Sequence, residues 1–464
     1  MILNNINISR VIGHRFDVSF YNERYDFISQ SYPMHELSKL LFVNPSVSYK
    51  HIANDDVISF VPMESIDEQN GTIATPKTIL YSNINGFTKF QNGDLLWAKI
   101  TPCMQNGKSA VARNLVNGVG CGSTEFYILR PKYNNILIDY IHYILRDKRI
   151  LESARNSFGG SAGQQRVSSS YLKSIKIPLP PMEVQQQIVD IYTSAQKAKQ
   201  AKDEDAKSLL ESIDTYVLKK MGIILPPKDT YAKDNIVSLS QLVGSRYDPY
   251  YHNEYFEEAF KSLKKTSNYR LVRLSDISIL ITSGITPKSG GDDYTDSEHG
   301  VAFIRSGNID IMGEVDFDNL LYIRREVHDT RMKSSKVQEG DIMIAIVGAT
   351  IGQVGIYHSS REANINQAIA LVRLKNGYNS EYIKEMIKSS IGQLNLDRLK
   401  RPVARANINL EEISSMLIPI PEFEVQNEIV KSIISIRKQA RQLQKEGIEL
   451  LEKAKQEIEK IILG

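Results

Sequence analysis

Two strings in this sequence resemble loops that bind phosphates. The first, QNGKS at residues 105–109, contains Gly-Lys-Ser, but a phosphate-binding loop needs another glycine five residues earlier so that backbone amides can wrap the phosphates. Pro102 occupies that position. The second, GATIGQVG at residues 348–355, lacks GxGxxG spacing and lies among apolar residues typical of a strand and a close-packed turn. We therefore expect no nucleotide-binding site.

The usual patterns for methyl transfer and hydrolysis are also missing. Enzymes that modify a base must hold it outside the helix, and adenine methyltransferases do so with an Asn/Asp-Pro-Pro-Tyr/Phe loop. The nearest strings here are NPSV at Asn44 and DPYY at Asp248. No proline is followed by aspartate, the usual opening of a nuclease carboxylate motif, and His35-Glu36 has no second histidine at the spacing of a zinc protease. The sequence predicts no catalytic residues and no metal site.

Composition indicates a globular protein with more than one domain. The chain has 464 residues, 42% hydrophobic and 24% charged, whereas single cores stop growing near about 250 to 300 residues. Its formal net charge of +3 is small for a protein that would hold nucleic acid through phosphates alone. Composition therefore neither requires nor excludes a nucleic-acid partner.

The number of cysteines and the amino-terminal sequence indicate the cellular compartment in which the protein is expected. Cys103 and Cys121 are too few for a disulfide framework, which favours a reducing environment. The first residues lack the charged start and apolar run of a secretion signal, and no stretch approaches about 18 uninterrupted apolar residues. We expect a cytoplasmic protein without a membrane partner.

The chain repeats itself once. The matched segments lie 231, 247, 243 and 241 residues apart, so the spacing drifts only by loop lengths. In chain order the pairs are VIGHRFDVSFYN (11–22) with LVGSRYDPYYHN (242–253), GDLLWAKITPCMQNGKSAV from Gly93 with GDIMIAIVGATIGQVGIY from Gly340, STEFYILR ending at Arg130 with NQAIALVR ending at Arg373, and IPLPPMEVQQQIV (177–189) with IPIPEFEVQNEIV (418–430). This self-similarity indicates a tandem duplication of a unit about 230 to 240 residues long.

Each repeat has a globular first part and a helical second part. Short Ile, Val, Tyr and Phe runs broken by Gly, Pro, Asn and Ser, with helical stretches near the end, predict an α/β or α+β fold for the globular part. The helical part begins at the prolines, because proline is accepted only in the first turn of a helix. We predict, in chain order, a first globular domain (1–180), a long helix (181–222), a linker (223–235), a second globular domain (236–420) and a second long helix (421–464).

Both helical parts carry apolar residues at the alternating spacing of a coiled coil. A helix of about 40 residues would be about 60 Å long. Amphipathic helices that pack only against their own domains are the alternative. The predicted seam positions are Ile188, Tyr192, Ala195, Lys199, Lys202, Ala206, Leu209, Ile213 and Tyr216 in the first helix, and Ile429, Ile433, Ile436, Ala440, Leu443, Gly447, Leu450, Ala454, Glu457 and Ile461 in the second.

These motifs together resemble a known family. The doubled pattern of Ile-Pro-Leu/Ile-Pro, an acidic residue, glutamine and a long helix resembles the specificity subunit of type I restriction-modification systems. The RFD and RYD elements, RLSDISILITSGITP before Lys288, FIRSGNI at 303–309 and the two Gly-Asp strands are similar to that family as well. The resemblance covers nearly the whole chain, although the strand motifs taken singly are unspecific.

The resemblance implies a fold, partners and cofactors. It implies two target-recognition domains that each read one half of a split site in double-stranded DNA, joined by two helices that pack as an antiparallel coiled coil. Antiparallel packing over about 40 residues would place the stretch Lys197 to Lys202 near the stretch around Gly447, giving a polar, loosely packed centre flanked by apolar ends. The implied partners are two methyltransferase subunits, which carry S-adenosylmethionine, and motor-nuclease subunits, which use ATP and Mg. We expect none of these cofactors on this chain.

One departure distinguishes the two halves. The first half has VNPSVSYKH in place of SGITP, so we expect the two domains to read unrelated half-sites. Candidate contacts are side chains suited to base edges in predicted loops. In the first domain they are Lys99, Gln105, Asn106, Lys108, Gln164, Gln165 and Arg166, and in the second they are Thr286, Lys288, Arg305, Asn308, Arg398, Lys400, Arg401, Arg405 and Asn407.

Two other functions stay open at this point. One is a fused restriction-methylation enzyme whose catalytic part has no recognisable motif. The other is an interaction scaffold in which the helices matter and the domains bind protein. Use of nearly the whole chain by the repeat argues against the fused enzyme.

Overall fold

The computed structural model of this chain forms two compact units. Unit 1 contains the described residues up to Asp203 together with Gln444–Gly464, and unit 2 contains the described residues of Glu204–Leu443. Each unit therefore combines a globular part with a segment of each long helix. The described residues are 29–158, 165–228, 237–243, 246–248, 250–288, 290–310, 312–401 and 406–464.

The globular part of unit 1 mixes short strands with short helices. Its strands are β1 (Met34–Glu36), β2 (Leu41–Val43), β3 (Val57–Val61), β4 (Ile66–Asp67), β5 (Thr72–Ile73), β6 (Lys77–Leu80), β7 (Thr88–Gln91), β8 (Leu95–Ala98), β9 (Ser109–Val111), β10 (Val119–Gly122), β11 (Phe126–Pro131) and β12 (Lys176–Pro178). Its helices are α1 (Leu37–Leu40), α2 (Ile138–Leu145), α3 (Lys148–Asn156) and α4 (Ser169–Ser174).

Unit 2 has a similar composition. Its strands are β13 (Leu271–Arg273), β14 (Ser278–Ser283), β15 (Tyr294–Thr295), β16 (Gly300–Ile304), β17 (Leu321–Arg324), β18 (Lys336–Val337), β19 (Ile342–Ala345), β20 (Val354–Ile356), β21 (Ala363–Ile365), β22 (Ile369–Leu374) and β23 (Leu417–Pro419). Its helices are α6 (Leu239–Leu242), α7 (Glu254–Thr266), α8 (Leu274–Ile277), α9 (Arg325–Asp329), α10 (Ser380–Lys388), α11 (Ser390–Leu399) and α12 (Leu410–Ser414). The long helices are α5 (Met182–Met221) and α13 (Phe423–Leu463).

Sheet topology confirms the predicted duplication and the α+β class. The antiparallel order β2-β11-β8-β9 in unit 1 has its counterpart in β14-β22-β19-β20 of unit 2. A second sheet follows in each unit, β6-β3-β10-β7 and β15-β17-β16-β21-β18, and its central pair is parallel in both, β3 with β10 and β16 with β21. Small sheets β1-β12 and β13-β23 join the start of each globular part to its proline segment.

A buried ion pair explains why the Gly-Asp motif recurs with a distant arginine. Asp94 accepts two hydrogen bonds from the guanidinium of Arg130, at 2.6 and 2.8 Å, and its side chain is 1% exposed. Asp341 and Arg373 form the same pair in unit 2, at 2.8 and 2.7 Å. Bidentate geometry suits a buried carboxylate because both of its oxygens are satisfied. Each pair fastens the turn before β8 or β19 to the neighbouring strand.

A buried glutamine explains the proline-helix motif. The Gln185 side chain accepts a hydrogen bond from the Leu137 N–H at 2.8 Å and donates one to the Pro180 carbonyl at 2.9 Å. Gln426 makes the same two bonds, with the Asn379 N–H and with the carbonyl of the proline five residues before it. Both side chains are buried. The glutamine therefore ties the start of each long helix to the start of a helix in the globular part.

In each unit, segments of the two long helices run antiparallel, as the resemblance implied. In unit 1, Ile188 near the start of α5 shares a core with Ile458 and Ile462 near the end of α13. In unit 2, Met221 at the end of α5 shares a core with Ile429 near the start of α13. The helices also pack on the globular parts, so their apolar residues contact both the other long helix and the globular part of the same unit.

The helix pair is closely packed around Gly447, and the expectation of a loose centre is wrong. A Cβ built on Gly447 would lie 3.2 Å from Lys199 Cγ and 3.4 Å from its Cα. Glycine permits this approach because it has no side chain. The lysines lay their stems along the contact and point their ammonium groups outward. Lys202 reaches Glu446 at 2.5 Å.

The predicted seam of α13 is also wrong near its carboxyl end. Leu450 is 37% exposed and Glu457 is exposed, whereas Ile458 and Ile462 are buried. A straight helix has 3.6 residues per turn and drifts by about 20° per heptad from a strict seven-residue repeat. The buried stripe of α13 therefore shifts along the helix and meets the core of unit 1.

Candidate nucleic-acid interface

Several loops of unit 2 meet at one edge of its sheets. Because neighbouring strands are antiparallel, β14 ends where β22 begins and where β19 ends. We call this the loop edge of unit 2, comprising residues 284–288, 305–308, 346–353, 366–368 and 406–408. Most of the predicted contact residues of the second domain belong to these loops or to the segment just before the last of them.

Backbone hydrogen bonds join these loops to one another. The Asn366 N–H donates to the Ile304 carbonyl at 3.0 Å, which brings the ends of the parallel strands β16 and β21 together. The Gly348 N–H donates to the Ala406 carbonyl at 3.0 Å. The run GATIGQVG is thus a turn that supports the loop edge, in agreement with the close-packed turn expected there.

The SGITP motif is a loop pressed against the second sheet. A Cβ on Gly284 would lie 1.6 Å from the Ile365 carbonyl oxygen, so no residue with a side chain fits. Three residues later, the Pro287 carbonyl accepts a hydrogen bond from the Tyr294 hydroxyl at 3.1 Å. The Tyr294 ring packs edge-on against Phe303, with centroids 6.1 Å apart. These contacts hold the loop rigidly in place.

This arrangement brings three predicted residues to one surface. Thr286, Lys288 and Arg305 are all exposed. Burial raises the pKa of the Tyr294 hydroxyl, and Arg305 lies near enough to oppose that shift. Gly284 packs on Ile365, which pairs with Ile304, so Arg305, the next residue, lies beside the loop that carries Thr286 and Lys288.

Asn308 has a structural role, contrary to its selection as a contact residue. It is 4% exposed. Its side-chain oxygen accepts from the Arg305 N–H at 3.0 Å, and its amide nitrogen donates to the Asn319 carbonyl at 3.1 Å. Because its polar atoms are used within the protein, Asn308 shapes the turn that presents Arg305.

Arg398 also turns inward. Its side chain is 15% exposed and forms an ion pair with Glu257. The guanidinium lies over the Tyr251 ring at 4.3 Å and near Phe260 at 4.9 Å. This residue braces α11 against α7, and its charge is already compensated.

Arg401 and Lys400 are also paired, and the RYD motif shares one of their acidic partners. Arg401 contacts Glu412 at 2.9 Å, and Lys400 contacts Asp397 at 2.7 Å. Arg246 of the RYD motif reaches the same Glu412 at 3.1 Å. The motif therefore fastens the start of unit 2 to the base of the loop that precedes α12. Arg401 and Lys400 are half-buried.

Asn407 and Arg405 are the last two candidates of this segment. Asn407 is exposed, and its backbone forms an isolated antiparallel bridge with Val347. It thus lies on the loop edge. Arg405 lies outside the described residues.

Unit 1 has a corresponding loop edge. We define it by residues 62–65, 99–108, 123–125 and 165–167, which follow or precede the strands equivalent to those in unit 2. Ile100 forms an antiparallel bridge with Arg166, and the Thr101 N–H donates to the Gln165 carbonyl at 3.0 Å. The structure therefore brings together the two segments predicted for the first domain.

Individual side chains at this edge differ in availability. Gln105 and Asn106 are exposed, and Lys99 and Lys108 are partly exposed. The Lys99 ammonium lies 5.3 Å from the centre of the Tyr127 ring. Gln165 is partly exposed, and Gln164 lies outside the described residues.

Arg166 has an acidic partner at the same edge. Its guanidinium donates to both carboxylate oxygens of Glu125, at 2.9 and 2.8 Å. This hydrogen bonding holds the pKa of Glu125 below its usual value. Contact with a base would require Arg166 to share or leave this partner.

Unit 1 departs from the SGITP arrangement through a single asparagine. Asn44 follows β2 with φ at 53°, a left-handed conformation that asparagine tolerates better than most residues. Its side-chain oxygen accepts from the Ile128 N–H at 3.0 Å. This cap ends the strand early, whereas β14 continues into the glycine loop.

The sequence prediction missed residues 62–65 and 123–125 of the loop edge of unit 1. They carry no motif, and their position depends on the parallel pairing of β3 with β10. The Ser123 N–H donates to the Val61 carbonyl at 3.3 Å, as Asn366 does to Ile304 in unit 2. The turn after Val61 is therefore the counterpart of FIRSGNI.

Within the described ranges, no three His, Cys, Asp or Glu side chains are grouped so that they could hold a metal ion. No helix in these ranges is both long enough and apolar enough to span a membrane.

The family follows from comparison with known proteins. The model for the type I restriction modification DNA specificity domain matches residues 36–207 and 266–460. These two regions make up well over half of the chain and fall one in each repeat. The chain therefore belongs to this family.

Individual relatives agree with that assignment. The chain is 32% identical over 158 residues to the specificity subunit of the type I restriction enzyme EcoAI from Escherichia coli, a match covering 34% of this chain and 26% of that protein. The match to the EcoBI specificity subunit is 35% identical over 146 residues and covers 29% of that protein. The chain thus spans less than a third of these relatives' length. A putative MjaX specificity subunit from Methanocaldococcus jannaschii is 24% identical over 386 residues, covering 80% of this chain and 77% of that one.

A solved structure supports the fold. The chain superposes on one from a study of complex assembly and conformational transition of the type I R-M system, with a TM-score of 0.57 and 16% identity. The match covers 93% of this chain and 96% of the other.

Proposed function

We propose that this chain is the DNA-reading subunit of a type I restriction-modification enzyme and that each loop edge reads one half of a split site. The helices α5 and α13 set the distance between the half-sites and dock methyltransferase subunits. The chain itself carries out no methylation or cleavage. S-adenosylmethionine, ATP and Mg belong to the methyltransferase and motor-nuclease partners.

One observation carries this proposal. In both units, topologically equivalent loops gather at one edge of equivalent sheets, yet the side chains they present differ. Unit 2 presents Thr286, Lys288 and Arg305, whereas unit 1 presents Gln105 and Asn106. A common frame with different exposed polar groups is what two readers of unrelated sequences require, because base edges differ in their donors and acceptors.

Two domains also give the specificity that such an enzyme needs. A good bidentate base contact contributes about 1 to 3 kcal/mol of discrimination. One domain contacts only a few base pairs, so two domains on a spacer multiply the ratio between specific and non-specific binding. The net charge of +3 is consistent with partner subunits that supply much of the phosphate contact.

The test is a domain replacement. Residues 1–180 are replaced with the matching domain of a related subunit, and the chimera is expressed with its methyltransferase subunits in a host without methylation. Sequencing that detects modified bases should show one half of the methylated motif changed and the other retained. The reciprocal replacement of residues 236–420 is the matched control and should change the other half. A change in both halves, or in neither, would contradict two independent readers.

The non-catalytic role has a separate test. Titration calorimetry of the purified chain with S-adenosylmethionine should give no stoichiometric binding, while the complex with methyltransferase subunits should bind it. Saturable binding to the chain alone would contradict the assignment of the cofactor to the partner.

A further inference from the structure

The turn after β3 in unit 1 is equivalent to the turn that presents Arg305 in unit 2. β3 pairs in parallel with β10 in the register Val61 to Gly122, and β16 pairs in parallel with β21 in the register Ile304 to Ile365. In each unit one residue, Pro62 or Arg305, separates the central strand from a three-residue 3₁₀ helix, Met63–Ser65 or Ser306–Asn308.

The last residue of each turn is buried and hydrogen-bonded in the same way. Ser65 is fully buried, its N–H donates to the Pro62 carbonyl at 3.0 Å, and its hydroxyl donates to the Thr75 carbonyl at 2.7 Å. Asn308 occupies the equivalent position and donates its own N–H to Arg305 at 2.8 Å. Both turns are thus held rigidly by their last residue and serve as platforms at the loop edge, with Pro62 equivalent to Arg305 and Glu64 equivalent to Gly307.

The exposed charge on the platform in unit 1 is acidic. The Glu64 side chain is 69% exposed, and its carboxylate lies 3.2 Å from the Lys77 ammonium. Its own backbone amide and the hydrogen bond from Lys77 hold the pKa of Glu64 below its usual value, with a further contribution from the charge of Lys108. Glu64 is therefore ionised at neutral pH and acts only as a hydrogen-bond acceptor.

An exposed carboxylate is unfavourable against the phosphate backbone but suited to one kind of base edge. The negatively charged phosphates of DNA attract cations and repel anions. In the major groove, glutamate accepts a hydrogen bond from the N4 amino group of cytosine, whereas arginine binds the O6 and N7 acceptors of guanine. Lys77, which contacts Glu64, and Lys108, whose charge acts on it, supply positive charge of the kind that a DNA surface requires.

We propose that Glu64 reads a cytosine in the first half-site, from a turn equivalent to the one that Arg305 directly precedes in the second. This inference rests on the proposed function and deepens it by naming a specificity-determining residue and the base it recognises. The two domains then share this turn, but its exposed side chain is a hydrogen-bond acceptor, Glu64, in the first domain and a donor, Arg305, in the second.

The experiment compares the Glu64→Ala chain with wild type, each in complex with its methyltransferase subunits. Methylation rates are measured on duplexes that carry every single base-pair substitution in both half-sites. Glu64→Ala should lose about 5- to 150-fold of discrimination at one C·G pair of the first half-site, with the second half-site unchanged. Asp55→Asn is the matched control, because Asp55 is an exposed carboxylate before the start of β3, at the opposite end of the strand. It should leave every position unchanged.

The outcomes separate the two levels of the argument. Equal loss at all positions, no loss at any, or loss at a pair other than C·G would overturn the role of Glu64 while leaving the bipartite reader intact. A wild-type complex that methylates no split motif would overturn the proposed function and this inference with it. Thermal unfolding of the variant should match wild type, since Glu64 is exposed and its ion pair with Lys77 lies at the surface.

Discussion

Lys199 of α5 packs its backbone directly against Gly447 of α13, where a Cβ would come 3.4 Å from the lysine Cα. Glycine permits this approach without a shift of the lysine side chain, although it lowers helix propensity by about 1 kcal/mol relative to alanine.

The first prediction concerns this contact. Gly447→Leu should destabilise the protein by about 1 to 3 kcal/mol, because a large side chain must push the helices apart or move Lys199. Chemical denaturation followed by circular dichroism measures the change in the free energy of unfolding. Lys453→Leu, at an exposed position of the same helix, is the control and should change it little. A stable Gly447→Leu protein would show that the helices are not tightly paired there.

The second prediction concerns the buried ion pair of unit 2. Asp341→Ala leaves Arg373 half-buried without its carboxylate and should cost about 3 to 5 kcal/mol. Asp341→Ala combined with Arg373→Met should recover part of that loss, because the unpaired charge is removed. A double-mutant cycle on the free energy of unfolding gives the coupling between the two residues. If the effects of the two single substitutions on the free energy of unfolding simply add, the interaction between Asp341 and Arg373 does not stabilise the protein.

The third prediction concerns pH. His142 contacts the Ser109 hydroxyl at 3.2 Å, and burial, aided by the nearby Arg146 charge, lowers the pKa of His142 to about 3. Between that value and the unfolded pKa near about 6.5, the unfolded chain binds a proton that the folded chain does not. Stability should therefore fall as pH decreases through this window, by up to about 1.4 kcal/mol per pH unit.

His142→Gln isolates this effect, because glutamine can bond to Ser109 but does not titrate. The difference in the free energy of unfolding between pH 7 and pH 5 should be smaller for the variant than for wild type. An identical pH dependence would mean that His142 is protonated in the folded protein.

The fourth prediction concerns the SGITP loop. Gly284→Ala places a methyl group against the Ile365 carbonyl and must displace the loop that carries Thr286 and Lys288. Methylation should lose specificity in the second half-site and keep it in the first. Gly290→Ala is a useful comparison, since its φ of 70° strains a side chain but nothing lies within 4 Å of its Cβ. Equal loss in both half-sites for Gly284→Ala would argue against a local role.

The repeat was predictable because its signals are short-range or strictly repeated. Glycine, proline and the two Gly-Asp pairs indicate turns and helix starts from the sequence itself. The structure adds that Gln185 and Gln426, and the Asp94 and Asp341 ion pairs, are the contacts that these motifs serve. The residues that make these contacts are more than 30 positions apart in the chain. The repeated motifs therefore identify the residues but do not show which of them are in contact.

The candidate interface was only partly predictable. Several candidates do lie in loops, but Arg398, predicted to lie in a loop, belongs to α11. The direction of a side chain depends on tertiary contacts, so exposed Arg305 and buried Asn308 looked alike. Arg398 gave no sign of its partner Glu257. The platform of Glu64 was missed because parallel pairing of β3 with β10 joins segments about 60 residues apart.

If two readers on a helical spacer recognise a split site, the methylated motif must be split as well, and mapping that motif is the decisive measurement. The motif is determined for wild type and for a chain with four residues inserted into each helix, after Lys202 and after Gln444, so that the helices stay matched. Four residues add roughly 6 Å, close to two base pairs at about 3.4 Å each. We expect two specified half-sites with a fixed gap in wild type, and the same half-sites with a gap about two base pairs longer in the variant. A continuous wild-type motif, or an unchanged gap in an active variant, would contradict this expectation.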